Sequence, residues 1–109
     1  MKIKNCTPHP IIGMLPDGGE ITFWPIGTIP RVGTIETPSE EIMGIPCVTQ
    51  SMGEVEGLPD PEDGVFLLVS GMVFNATTDR LDVIAPDTGK GVIRDNQGRI
   101  LAVTRFLRK

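Results

Sequence analysis

Gly64–Pro86, GVFLLVSGMVFNATTDRLDVIAP, is the stretch around which the rest of the chain is organised. Val65–Val69 is a continuous apolar run of strand length, the pattern of a strand buried on both faces. Ser70 ends it. Met72, Val73 and Ala76 then fall at i, i+1 and i+4, which predicts a short helix with one buried side. Asn75, Thr77, Thr78 and Asp79 make a polar break. Leu81, Val83 and Ile84 read as a second strand stopped by Pro86.

On the N-terminal side, Lys2–Asn5 alternates polar and apolar and predicts a first strand. Pro8 and Pro10 interrupt it by removing two ladder donors. Ile11–Leu15 and Glu20–Trp24 flank Pro16-Asp17-Gly18-Gly19, a strong turn signal, and predict a β-hairpin. Trp24–Pro30 is an apolar loop stiffened by proline. Arg31–Ile35 predicts a short strand.

From Glu36 to Asp63 the pattern is weaker. Thr37–Glu41 has the residues to open one helical turn, and Gly44 and Pro46 cut it short. Ile45–Thr49 reads as a strand, and Gly53–Asp63 as an acidic loop punctuated by proline and glycine. On the C-terminal side, Gly91–Arg94 and Arg99–Leu107 flank Asp95-Asn96-Gln97-Gly98, a second hairpin whose Gly98 is placed for positive φ. The whole predicts one domain over residues 1–109, mainly β or α+β, a compact and partly closed small sheet of about seven short strands with one short helix.

Composition narrows the function classes. Glycine and proline make up about a fifth of the 109 residues, dispersed between apolar runs as turn residues are. No apolar run approaches a membrane span, and no signal-peptide core follows Met1, so the sequence predicts a cytoplasmic protein with no membrane partner. Cys6 and Cys47 have neither CxxC spacing nor a second pair, and are expected as reduced, unbridged thiols. The net charge of −4 hides a strong asymmetry. Glu36–Asp63 has eight acidic residues and no basic one, whereas Lys90–Lys109 has six basic residues and only Asp95 against them. The acidic balance argues against general nucleic-acid binding, which rests on neutralising phosphates.

No catalytic motif is complete. His9 is the single histidine, held between two prolines that keep its backbone extended, a setting for a binding residue or for a turn whose imidazole caps a carbonyl. Metal binding would need carboxylate partners, and Glu54, Glu56, Asp60, Glu62 and Asp63 lack the spacing of a Ca²⁺ loop. No cofactor fingerprint occurs, neither GxGxxG nor GxxxxGK. The step Ser70-Gly71, from strand to helical turn, offers free backbone amides to an anion or a plain helix cap. No GxSxG elbow surrounds Ser70. Arg31, Arg80 and Arg94 each lie at a strand edge beside a turn, and Arg80-Leu81-Asp82 and Arg94-Asp95 set a guanidinium beside a carboxylate. Such pairs orient an arginine towards an anion, or are surface ion pairs.

Asn5-Cys6-Thr7-Pro8-His9-Pro10-Ile11 resembles the N-L-T-P-H-x-I opening of small uncharacterised proteins found in bacteriophage and bacterial genomes. The resemblance continues through Arg31-Val32, the run Gly53–Pro59, Val69-Ser70, Arg80–Val83, Val92–Asp95 and Gly98–Ile100, with Cys6 in place of the more usual leucine. It implies a viral or prophage origin, hence a host cytoplasm, and carries no activity with it. Three readings of function follow. The first is a homo-oligomeric module that binds an anionic small molecule such as a nucleotide signal, sponge-like, through His9, Arg31, Ser70, Arg80, Asp82 and Arg94. The second is an interaction protein whose acidic 36–63 stretch blocks a host partner. The third is a nucleotide phosphodiesterase using His9, although with one histidine and no activated nucleophile the sequence weighs against an enzyme. The site expected is a single pocket where the His9 turn, Ser70 and Arg80 converge.

Overall fold

The computed structural model describes all residues from Met1 to Lys109. It is mainly β, with ten strands and one helix. In chain order these are β1 (Lys2–Asn5), β2 (Ile11–Met14), β3 (Glu20–Phe23), β4 (Arg31–Ile42), β5 (Ile45–Glu56), β6 (Val65–Leu68), α1 (Gly71–Ala76), β7 (Val83–Pro86), β8 (Val92–Arg94), β9 (Ile100–Val103) and β10 (Phe106–Arg108). Instead of the single partly closed sheet of about seven strands expected from the sequence, they form three small open sheets. The first is ordered β1-β6-β7-β10, the second β3-β2-β9-β8, and the third is the β4-β5 pair alone.

The Gly64–Pro86 stretch folds largely as its pattern predicts. β6 and β7 are parallel neighbours, with Leu67 opposite Val83 and Leu68 opposite Ile84. Ser70 caps α1, its hydroxyl accepting from the amide N–H of Val73 at 3.3 Å. Thr77 closes the other end, donating from its hydroxyl to the Val73 carbonyl at 2.6 Å. The buried side of α1 is Val73 and Phe74, while Met72 faces solvent. Cys6, Leu67, Val69, Val73, Phe74, Val83 and Ala85 make the core, and Val55, Leu58 and Val65 pack against it. Fully burying a side chain of this size contributes about 1.5–3 kcal/mol. β1 adds to the other edge of β6 in parallel, Lys2 opposite Val65 through Asn5 opposite Leu68.

Both short hairpins form. Ile11 pairs with Phe23 and Met14 with Glu20. Asp17 accepts from the Gly19 amide at 2.8 Å inside the turn. In the second, β8 pairs with β9 and Gly98 takes φ 80°. The strand expected over Arg99–Leu107 is two strands in two sheets. Thr104 donates from its amide to the Gly91 carbonyl at 2.6 Å, and the Arg105 guanidinium meets the Asp87 carboxylate. These contacts bend the chain, so that Phe106–Arg108 leaves β9 and pairs with β7.

The largest departure lies at Glu36–Asp63. Residues expected as a helical turn, a short strand and a loop belong largely to one antiparallel ribbon, β4–β5, with twelve residues in each strand. Its tip, Ile42-Met43-Gly44-Ile45, turns on two consecutive residues at positive φ, Met43 at 54° and Gly44 at 79°, as a type I′ turn does. Pro38 and Pro46 are tolerated because each strand of a two-stranded ribbon has an unpaired edge. Twelve residues at about 3.3 Å each project roughly 40 Å. The radius of gyration is accordingly 16.9 Å, against about 13 Å for a compact chain of this length. No helix is long and apolar enough to cross a membrane.

Candidate functional site

The site is built from Asn5 outwards. Asn5 ends β1 opposite Leu68 and is 1% exposed. Its side-chain amide donates to the His9 carbonyl at 2.9 Å and to the Phe23 carbonyl at 2.7 Å. Its Oδ1 accepts from the Thr7 amide at 2.9 Å. The Thr7 hydroxyl lies 2.7 Å from Asn5 Oδ1 and 3.0 Å from the His9 carbonyl, and its one proton serves one or the other. Every polar atom of the Asn5 side chain is therefore partnered. An unpaired buried group would cost about 1–3 kcal/mol, so this network fixes the turn Cys6–Pro10 in one conformation. The turn carries the chain from the first sheet to the second. It is held by Asn5 and Thr7, and the His9 imidazole takes no part in holding it.

That division of labour leaves His9 exposed beside a cavity of about 540 Å³. Its wall is made by Thr7–Ile12, by Ser70, Pro86 and Thr88, and by Ile100–Val103 of β9. Each of the first two groups follows the carboxyl end of a parallel strand: the His9 turn follows β1, Ser70 follows β6, and Pro86 and Thr88 end and follow β7. Loops at the carboxyl ends of neighbouring parallel strands converge on one side of the sheet, which is where open parallel sheets bind ligands. The volume lies within the usual range for small-molecule sites, about 300–1,000 Å³. The wall is largely apolar, with His9, Ser70 and Thr88 as polar groups on the surface. No carboxylate lines it, and Ser70 Oγ makes no hydrogen bond to His9.

His9 and Ser70 thus share a cavity, as expected from the sequence, but Arg80 does not join them. Arg80 lines a second cavity, of about 680 Å³, between the foot of the β4–β5 ribbon and α1, with Ile35, Met52, Glu54, Leu58 and Thr78. Its guanidinium is already engaged. Nε and Nη2 each lie 2.8 Å from a different oxygen of Asp82, and Nη2 also donates to the Pro59 carbonyl at 2.8 Å. The Asp82 hydrogen bonds hold Arg80 above its usual range, and the Arg80 guanidinium holds Asp82 below the usual carboxylate range. The pair ties the loop before β6 to the start of β7. Arg94 is spent inside its own hairpin, donating from Nη1 to the Gly98 carbonyl at 2.7 Å. Arg31 opens β4 on the ribbon, exposed and opposite Glu56. None of the three arginines lines the His9 cavity. The amides of Val73 and Phe74 bond back to Ser70, and α1 at six residues is too short to gather an anion-binding dipole.

Asn5, Thr7 and Thr88 are the site residues that sequence reasoning missed. Asn-x-Thr at a strand end followed by proline is the available signal for the first two, since short polar side chains bond to the backbone two residues on. Elsewhere, the Arg105 guanidinium and the Gly89 amide hold Asp87 below the usual carboxylate range. No three histidine, cysteine, aspartate or glutamate side chains converge in a metal-holding group.

Comparison with protein families, with characterised proteins and with solved structures finds no match in any of the three.

Proposed function

We propose that the protein is a small-ligand binding module whose ligand lies in the His9 cavity at the carboxyl ends of β1, β6 and β7. The convergence of three strand-end loops on a cavity of about 540 Å³, with an anchored turn presenting a free imidazole, is the observation that carries this reading. An apolar wall with a few polar groups suits a planar heterocycle, whose face packs on aliphatic side chains and whose edge meets hydrogen-bonding groups. A nucleobase has that chemistry. The ligand class is therefore a nucleotide or nucleoside, with any phosphate pointing to solvent because no arginine or lysine lines the wall. In a phage or prophage setting, which the Asn5–Ile11 resemblance favours, such a module would sequester a nucleotide signal in the host cytoplasm.

Catalysis is not part of the proposal. General acid–base hydrolysis needs a second titratable group within reach of the substrate, and His9 has none beside it in the cavity wall. Thermal denaturation against a panel of nucleosides and mono-, di- and cyclic nucleotides tests the reading. A ligand at 100 times its dissociation constant adds about 2.7 kcal/mol, a rise in Tm on the order of 10 °C for a domain of this size. A panel with no stabilising member would overturn it.

A further inference from the structure

We infer that the β4–β5 ribbon is a docking arm for a second copy of this chain, and that it seats on the basic β8 edge of that copy. Three observations lead there. The first is surface. The chain exposes 7688 Å², whereas a compact monomer of its mass, 11.8 kDa, exposes about 5,900 Å². The excess, about 1,800 Å² per chain, is roughly twice the 800 Å² or so that each partner buries in a standard protein–protein interface.

The second is the character of that surface. The arm leaves Ile35, Ile42, Met43, Ile45, Val48 and Met52 between 46% and 95% exposed. Both outer edges of the ribbon are unpaired, because β4 and β5 hydrogen-bond only to each other. An exposed, apolar, unpaired ribbon is what another chain covers in a stable assembly.

The third is charge, and it selects the occupant. The arm bears Glu36, Glu40, Glu41, Glu54 and Glu56, and none of them forms an ion pair within the chain. β8 ends its sheet, with one edge free; it closes on Arg94 and is flanked by Lys90 and Arg99. Lys90 and Arg94 have no acidic partner within the chain. One molecule therefore carries both halves of a complementary pair on separate elements. Even with Arg31 at its foot the arm is net negative, so arm against arm would set like charge against like, whereas arm against the β8 edge matches opposite charges, twice, in a two-fold dimer.

Reciprocal charge reversal tests this. In light scattering at about 50 μM protein and low salt, the wild-type chain is expected at twice 11.8 kDa. An arm variant, Glu36→Lys with Glu40→Lys and Glu41→Lys, and an edge variant, Lys90→Glu with Arg94→Glu, are each expected at the monomer mass. Mixed one to one, they are expected to return to the dimer mass, because both contacts of the mixed pair are again attractive. That return also shows that both variants are folded. A monomeric wild type would overturn the inference and leave the arm to a partner of another kind. A dimer that persists in either variant, or a mixture of folded variants that stays monomeric, would equally overturn it.

Discussion

The side-chain amide of Asn5 reaches 2.9 Å to the carbonyl oxygen of His9, four positions on in the turn that carries the chain between two sheets. This bond separates two roles within one short motif. Asn5 and Thr7 supply the rigidity, with their polar atoms turned inward. His9 lends only its backbone to that network and keeps its imidazole for the cavity.

Replacing Asn5 with alanine is therefore expected to destabilise the fold by roughly 2–3 kcal/mol, since it removes the partner of the Thr7 amide and the Asn5 donors to the Phe23 and His9 carbonyls, leaving the His9 carbonyl only the Thr7 hydroxyl. Urea denaturation measures the loss. His9→Ala should change stability by no more than about 0.5 kcal/mol, as an exposed side chain outside any network does.

Stability should fall in acid, through Asp82 and Asp87. Both carboxyls are held below the usual range, by Arg80 and Arg105 respectively. In the unfolded chain they titrate near pH 3.9. A depressed native pKa contributes stability that is fully present above the unfolded value and is lost as pH falls through the native one. The urea midpoint is thus expected to be level between about pH 7 and 5 and to drop below about pH 4. In Asp82→Asn the midpoint should be lower at neutral pH, and the acid drop smaller. An equal acid drop in that variant would show that the Arg80 pair contributes nothing.

The two thiols should differ in reactivity. Cys6 is 2% exposed, and burial pushes its thiol up against the opposing effect of Lys4. Cys47 is half-buried on the exposed ribbon, its Sγ 3.5 Å from the Ile45 carbonyl. Alkylation of the native protein followed by mass spectrometry should label Cys47 first, and Cys6 only once the chain is unfolded. Neither cysteine is bridged in the structure.

The tip of the arm offers a stabilising change. Met43 occupies the left-handed region at φ 54°, which costs an ordinary L-residue about 1–2 kcal/mol and asparagine less. Met43→Asn should slow amide hydrogen exchange along β4 and β5 and leave the exchange of β6 and β7 unchanged.

The same residue explains why the arm was not legible in the sequence. An Asn-Gly pair announces a type I′ turn, whereas Met43-Gly44 does not, and Pro38 and Pro46 point away from a long strand. Where turn chemistry was explicit, at Pro16–Gly19 and at Asp95–Gly98, the hairpins were readable. The break between β9 and β10 carries no glycine or proline. It depends on Arg105 meeting Asp87, a contact eighteen residues apart that no local pattern encodes. In the site, His9 was visible from its flanking prolines and Ser70 from the end of an apolar run. Arg80 beside Asp82 left two uses open, and the Pro59 carbonyl, twenty-one residues away, decides for the structural one. The buried role of Asn5 emerges only when Phe23 is brought to it.

Because His9 is the single histidine, its imidazole Hε1 proton gives one isolated resonance that reports directly on the cavity. Titration of a nucleotide that raises Tm, followed by proton NMR, is the most direct measurement of the proposed function. The account predicts that this resonance moves saturably with ligand, and that His9→Ala loses the rise in Tm. A ligand that stabilises the protein while the His9 resonance stays in place, or that stabilises His9→Ala as it does the wild type, would contradict the assignment of the cavity.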